Sequence, residues 1–335
     1  MSDTISRRSL LKLMATGAAA LATGSLLTSC KKKSADPVTP DTTQADTAKQ
    51  EELSNSNDTH KSDSHATSPK RLVFFFTGTG NCLYVARQLS QNVISIPQAL
   101  KKNELEYEAE EIGIVYPIYG QMMPNIVRKF LKIAKLKYKY LFAIGTYGNN
   151  AKHAVEKCIA SGNDAGLKFD YIATLLMVDN WLPRFDMAEQ IKLDKNTDEN
   201  LAKIKADIDQ QKKYIEPHEE SAPAQPAPQN AQANPTKPVS PFAEDGIHAN
   251  AEDWFIISDA CISCGICVRI CPKANYSLDG EKASCKGECE LCLACIHACP
   301  HKAISIKSGE ANPNARYRHP NVPLRDIINA NTTRN

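Results

Sequence analysis

Two cysteine runs near the C-terminal end constrain this chain more than anything else in it: Cys261-x2-Cys264-x2-Cys267-x3-Cys271-Pro272 and Cys289-x2-Cys292-x2-Cys295-x3-Cys299-Pro300. Two residues between successive thiolates let one short loop wrap three corners of a cubic iron–sulfur core, and a distant cysteine must close the fourth. In chains with two such runs the fourth cysteine of each ligates the other cluster. That rule assigns Cys261, Cys264, Cys267 and Cys299 to one [4Fe–4S] cluster, and Cys289, Cys292, Cys295 and Cys271 to a second. Disulfides suit an exported chain with an even cysteine count, and zinc ribbons use Cys-x2-Cys pairs. Neither accounts for a triple followed by Cys-Pro, written twice. Cys285 is surplus: it stands in for Cys289 or is a spare thiol, and its gap to Cys289 favours the spare thiol. The expectation is electron transfer.

With these residues in view, segment 255–307 resembles the bacterial two-cluster ferredoxins, whose fold is a pair of pseudo-symmetric halves of short strands and helices. Ile262, Ile266, Val268 and Ile270 around the first run, and Leu291, Leu293, Ile296 and Ile304 around the second, are the apolar groups expected to keep water from the clusters. Burial and amide hydrogen bonds to sulfur tune such centres. Gly265 gives the first loop an unhindered backbone near the inorganic core.

The chain ends speak to location. Ser6-Arg7-Arg8-Ser9-Leu10-Leu11-Lys12 precedes an Ala/Gly/Leu-rich stretch, the pattern of a twin-arginine export signal over 1–29. Leu27-Thr28-Ser29-Cys30 resembles a bacterial lipobox, with Cys30 as the acylated residue. The apolar stretch is short for a membrane span, so lipid on Cys30 is the expected anchor, on the periplasmic side of a bacterial membrane. Twin-arginine export carries folded proteins, so clusters built in a reducing cytosol would cross intact. Residues 30–69 are Lys, Ser, Thr, Asp, Ala and Pro rich, the composition of a disordered stalk. The formal net charge of +2 gives no reason to expect nucleic acid as a partner.

The middle of the chain, 70–214, reads as an α/β domain. Leu72-Val73-Phe74-Phe75-Phe76 is a continuous apolar run of the kind found in central parallel strands. It leads into Thr77-Gly78-Thr79-Gly80-Asn81-Cys82 and then a helical pattern, so a glycine and hydroxyl loop opens a helix N-terminus, a phosphate site without a cationic side chain. There is no Gly-Lys-Ser/Thr, and Leu83 stands where a dinucleotide fingerprint has its third glycine. The loop resembles the flavodoxin phosphate loop, with Cys82 in place of its last threonine, and so implies flavin mononucleotide (FMN). Apolar runs recur at 93–96, 112–118, 140–146 and 171–178, with helical patterns near 123–135 and 150–160 and a closing helix over 187–214. Five strands alternating with helices indicate a flavodoxin-like doubly wound parallel sheet in the order 2-1-3-4-5. The post-strand loops then place Tyr119, Gly120, Tyr147, Gly148, Asn180 and Trp181 beside Thr77, Gly78, Thr79, Gly80 and Asn81 as candidate cofactor contacts. The aromatics among them serve equally well to cap the core or to meet the cysteine-rich domain. Cys158 is expected to be a small buried apolar residue.

Residues 215–250 read as a Pro/Ala/Gln linker, 251–310 as the two-cluster domain and 311–335 as a tail. The order of parts resembles the fused flavodoxin–ferredoxin proteins known as EFR-type ferredoxins. The resemblance rests on Thr77 to Asn81, Tyr116-Pro117, Tyr147-Gly148, Asn180 to Phe185 and both cysteine runs. It implies single-electron traffic between two clusters and FMN, with redox proteins or a membrane redox complex as partners. A flavin-dependent reductase, or a ferredoxin on an empty docking domain, stays open at this level. No acid, base or nucleophile constellation is visible.

Overall fold

The structure is a computed structural model and describes residues 69–217, 241–243 and 245–332. The export signal, Cys30 and the stalk, and residues 218–240 of the linker, lie outside the described residues. The described residues all fall in one compact unit, Ser64–Asn335.

The first half runs β1 (Arg71–Phe75), α1 (Asn81–Leu89), β2 (Val93–Ser95), α2 (Ile96–Ala99), β3 (Glu106–Glu108), β4 (Glu111–Pro117), α3 (Asn125–Ile133), β5 (Lys135–Lys137), β6 (Tyr140–Tyr147), α4 (Ala154–Asp164), β7 (Tyr171–Leu176), α5 (Met187–Gln190), α6 (Thr197–Asp209) and β8 (Tyr214–Ile215). The central sheet has the order β2-β1-β4-β6-β7-β8, every pair parallel. Counting its first five members in chain order gives 2-1-3-4-5, the flavodoxin-like order, with β8 added at the far edge. A sheet covered on both faces demands strands apolar throughout, and β1, β4 and β6 are buried along almost their whole length. Glu111 heads β4 and is buried, yet both carboxylate oxygens are met: Arg71 Nε stands 2.5 Å from Oε2, and Gln211 Nε2 donates to Oε1 at 2.9 Å. Helix α1 packs with α6 and α3 with α4, one pair to each face of the sheet.

One expectation is corrected here, and one element is new. The closing helix over 187–214 is two helices, α5 and α6, divided by a turn in which Asn196 takes a left-handed φ of 48°. A second, two-stranded parallel ribbon, β3 with β5, carries a ladder of Glu106–Lys135, Glu108–Lys137 and Glu110–Lys139 ion pairs.

The second half begins with a hairpin of β9 (Phe242–Ala243) and β10 (Gly246–Ile247), inside the segment read as linker. The Asn125 side chain holds it by both backbone groups of one residue, donating to Ile247 O at 2.8 Å and accepting from Ile247 N at 3.1 Å. Then follow α7 (Ala251–Trp254), β11 (Phe255–Ile257), α8 (Ile266–Ile270), β12 (Tyr276–Ser277), β13 (Ser284–Cys285), α9 (Ala294–Ala298), β14 (Ile304–Ile306) and α10 (Leu324–Asn331). β11 pairs with β14 and β12 with β13, both antiparallel. The left-handed residues repeat 28 positions apart: Ser263 with Leu291, Gly265 with Leu293, Ala274 with Lys302. Both cysteine runs therefore fold by the same backbone path, and Leu293 holds at φ 55° the conformation that Gly265 adopts more freely.

Residues 311–332, read as a tail, are not one. Helix α10 packs against both α8 and α2, and Asn331 near its end is fully buried. On the way there the chain forms a strap over the β1–α1 loop, with His319 N donating to Thr79 O at 2.9 Å.

Candidate functional site

Two apolar-walled cavities lie in the second half, and each is lined by four cysteines. The first is lined by Cys261, Cys264, Cys267 and Cys299, and the second by Cys271, Cys289, Cys292 and Cys295. The folding thus brings together the crossed sets read from the spacing. Cys285 lines neither: it sits on β13 opposite Tyr276, which leaves Cys289 in the second set. Every described cysteine is a free thiol, so no disulfide competes for them. Among the described residues no three His, Cys, Asp or Glu side chains converge as a single metal ion needs. Thiols spread around a cavity fit a cube's four corners better than one tetrahedral ion.

The sulfurs already receive hydrogen bonds. Asn275 N donates to Cys271 Sγ at 3.4 Å and Ala303 N to Cys299 Sγ at 3.3 Å, the same contact in each repeat. Ala283 N reaches Cys261 Sγ at 3.4 Å, Leu291 N reaches Cys289 Sγ at 3.3 Å, and the buried Tyr276 hydroxyl donates to Cys295 Sγ at 3.2 Å. Such donors stabilise negative charge on sulfur. Of the expected shielding groups, Ile266 and Ile304 line the first cavity and Leu293 the second. Ile304 therefore belongs to the first cavity, although it follows the second run, and Ile262 lines the same cavity while remaining 58% exposed.

At the carboxyl ends of the parallel strands lies an open cleft of about 280 Å³. Thr77, Gly78, Thr79, Asn81, Tyr119, Gly120, Tyr147, Gly148, Asn180 and Trp181 all line it. Gly80 does not; it is the N-cap of α1 at φ 104°, with no side-chain cap on that helix. The leading N–H groups of a helix have no intrahelical acceptor, so an uncapped N-terminus at a cleft suits an anion. The Thr77 hydroxyl accepts from Gly80 N at 3.0 Å and the Thr79 hydroxyl from Asn180 Nδ2 at 2.8 Å, fixing the loop. Cys82 is buried at the cleft, its sulfur 3.2 Å from the Thr146 hydroxyl, and burial raises its thiol to about 12. Cys158 is fully buried on α4, as its reading required.

Several lining residues were not expected at the cleft from the sequence; Leu291 among them was expected to shield the second cysteine run. Asp179 accepts from Trp181 N at 2.8 Å, and burial pushes its carboxyl above the usual range while Lys195 and Arg184 pull the other way. Phe242 reaches the cleft from the hairpin, and Leu291 from the second cysteine run. The ring of Trp181 stands 6.0 Å from that of Phe242 and 6.2 Å from that of Trp254, so this aromatic both lines the cleft and meets the cysteine-rich half. The Tyr119 hydroxyl is buried with no hydrogen-bond partner in the protein, a donor awaiting an acceptor.

The second cavity and the cleft share a wall. The backbone of Gly78 lies against the carbonyl of Cys292 so closely that a Cβ there would overlap it. Glu290, from the same loop, is buried and accepts from the backbone N–H groups of Asn125 and Ile126. It supplies the first turn of α3 with the cap that Pro124 cannot give.

The family and ferredoxin matches agree with the cysteine-lined cavities. The 4Fe-4S binding domain family matches residues 254–274. A ferredoxin of Pyrobaculum islandicum is 41% identical over 72 residues, which are 21% of this chain and 66% of that protein, just under two thirds of its length. A ferredoxin of Methanothermococcus thermolithotrophicus is 33% identical over 46 residues, 13% of this chain and 77% of that protein. Among solved structures, a flavoprotein of Bacteroides uniformis aligns with a TM-score of 0.28 at 18% identity, over 32% of this chain and 91% of its own. Rubredoxin oxygen:oxidoreductase of Desulfovibrio gigas aligns with a TM-score of 0.26 at 12% identity, over 42% of this chain and 37% of its own. Through the segment that carries the cysteine runs, the chain belongs to the 4Fe-4S ferredoxins.

Proposed function

We propose that this chain is an exported, lipid-anchored electron-transfer protein that passes single electrons between two [4Fe–4S] clusters and an FMN. The observation that carries the reading is the wall shared by the cleft and the second cavity, where Gly78 meets Cys292 and Leu291 lines the cleft. Electron carriers work at short range, and a loop that ligates one centre while walling the other puts the two next to each other.

The eight thiols of the two cavities are the ligands. The uncapped N-terminus of α1, with the backbone of Gly78 and Thr79, receives the FMN phosphate. Tyr119, Tyr147 and Trp181 lie along the cleft for the ring, and the Tyr119 hydroxyl donates to a polar edge of the bound group. FMN takes one or two electrons, and so joins one-electron carriers to a two-electron partner. Leu293 and Tyr276 keep water from the second centre. The proteins that give and take the electrons are redox proteins or a membrane redox complex, reached from lipid on Cys30 at the periplasmic side. No helix among the described residues is long and apolar enough to cross a membrane.

An anaerobic coulometric titration tests the reading. Two clusters at one electron each and FMN at two sum to about four electrons per chain. A total of about two, with no flavin absorbance change, would leave a ferredoxin beside an empty cleft.

A further inference from the structure

One side chain of the cysteine-rich half reaches the loop at the cleft while lining neither the cleft nor either cysteine-lined cavity. His297 sits on α9, between Cys295 and Cys299, and its ring is engaged at both nitrogens. Nδ1 accepts from Tyr317 N at 3.1 Å, so Nε2 carries the proton and donates to Asn180 O at 2.9 Å. Each partner reaches on to the β1–α1 loop. Asn180 Nδ2 donates to the Thr79 hydroxyl at 2.8 Å, and the Tyr317 hydroxyl donates to Asn81 Oδ1 at 2.7 Å. Asn81 in turn donates to Val178 O at 3.2 Å. The bonds form a closed bridge: helix α9, His297, two arms, and the two loop side chains that flank Gly80.

We propose that His297 is a positioning residue that sets the geometry of the Thr77–Asn81 loop from the cluster-bearing helix. The inference rests on the reading of that loop as the FMN phosphate site, and it adds a specific coupling between ligation in α9 and anion binding at α1. Thr79 and Asn81 at the loop end are buried and His297 at the other end is half-buried, where an unmade hydrogen bond is costly, so the loop cannot shift without breaking bonds to α9. Because coupling is reciprocal, FMN in the cleft steadies α9 as α9 steadies the loop.

The test uses the full chain purified without oxygen, as wild type, His297→Phe, His297→Gln, His297→Asn and Tyr317→Phe. Gln places an amide near the Nε2 position and Asn near Nδ1, so each restores one arm. FMN affinity is read by fluorescence, iron and sulfide by chemical analysis, and amide hydrogen exchange across 77–83 by mass spectrometry. With iron retained, His297→Phe is expected to bind FMN about tenfold more weakly, the scale of one or two lost buried bonds, and to exchange faster across the loop. His297→Gln, His297→Asn and Tyr317→Phe should each fall between it and wild type. Wild-type affinity and wild-type exchange in His297→Phe would overturn the inference and leave the FMN reading standing. If the wild type binds no FMN, the FMN reading fails, and the exchange data still decide the bridge. If His297→Phe loses iron, Tyr317→Phe, which lies outside the cysteine runs, carries the decision: unchanged exchange at 77–83 overturns the proposal.

Discussion

The carbonyl of Cys292 presses on the backbone of Gly78, leaving no room for a side chain. A backbone carbonyl cannot rotate away as a flexible side chain can, so Gly78→Ala must either move the loop or part the two halves. Overpacking of this kind costs about 1–3 kcal/mol. Chemical denaturation should show a loss of that size together with weaker FMN binding; unchanged stability would mean the two halves do not meet there.

The strap adds a second constraint on the same loop. Asn331, fully buried, donates to Thr77 O at 2.8 Å. Asn331→Ala strips a partner from a buried carbonyl and should cost about 1–3 kcal/mol. Gly80→Val is a blunt probe by comparison, since its φ of 104° disfavours a side chain and a Cβ would stand 3.1 Å from both His319 and Val322. A stability loss for Asn331→Ala smaller than for an exposed substitution such as Lys192→Ala would refute the strap's role.

Asp179 gives a pH signature. Burial raises its folded pKa above the usual 3.8, so its contribution to stability is present below the unfolded value and is lost as pH rises through the folded one. Asp179→Asn escapes that loss. The variant should match wild type near the bottom of the accessible pH range and exceed it in thermal stability at pH 7. A variant less stable than wild type at pH 7 would show that Lys195 and Arg184 outweigh burial.

We expect Tyr276 to tune a cluster held in the second cavity. Its hydroxyl donates to Cys295 Sγ, and a donor to sulfur favours the more negative, reduced state. Tyr276→Phe should lower one cluster potential by ~40 mV, the equivalent of about 1 kcal/mol for one electron. A potentiometric titration followed by electron paramagnetic resonance reads this directly, and an unshifted potential would remove Tyr276 from the account.

The sequence made some of this legible and hid the rest for physical reasons. Thiolate spacing follows a cube's corners, so the two sets of cysteines that line the cavities could be written from it, and the buried strands announced themselves as apolar runs. The β3–β5 ribbon did not, because its Glu and Lys ladder is solvated and has no apolar period. Leu291 and Phe242 were out of reach as cleft residues, since tertiary contacts between distant parts of the chain leave no local pattern. The strap was hidden for the same reason: Tyr317, His319 and Asn331 find their partners more than 230 positions away. His297 is one of eight histidines and carries no ligand spacing of its own; only the fold sets Asn180 and Tyr317 beside it.

The most direct test of the central claim is the content of iron, acid-labile sulfide and released flavin in one sample purified without oxygen. Two clusters and one flavin require about eight irons, about eight sulfides and about one FMN per chain. About four irons, or none of the sulfide, would contradict the two-cluster assignment, and full iron without flavin would contradict the coupling of the cleft to the clusters.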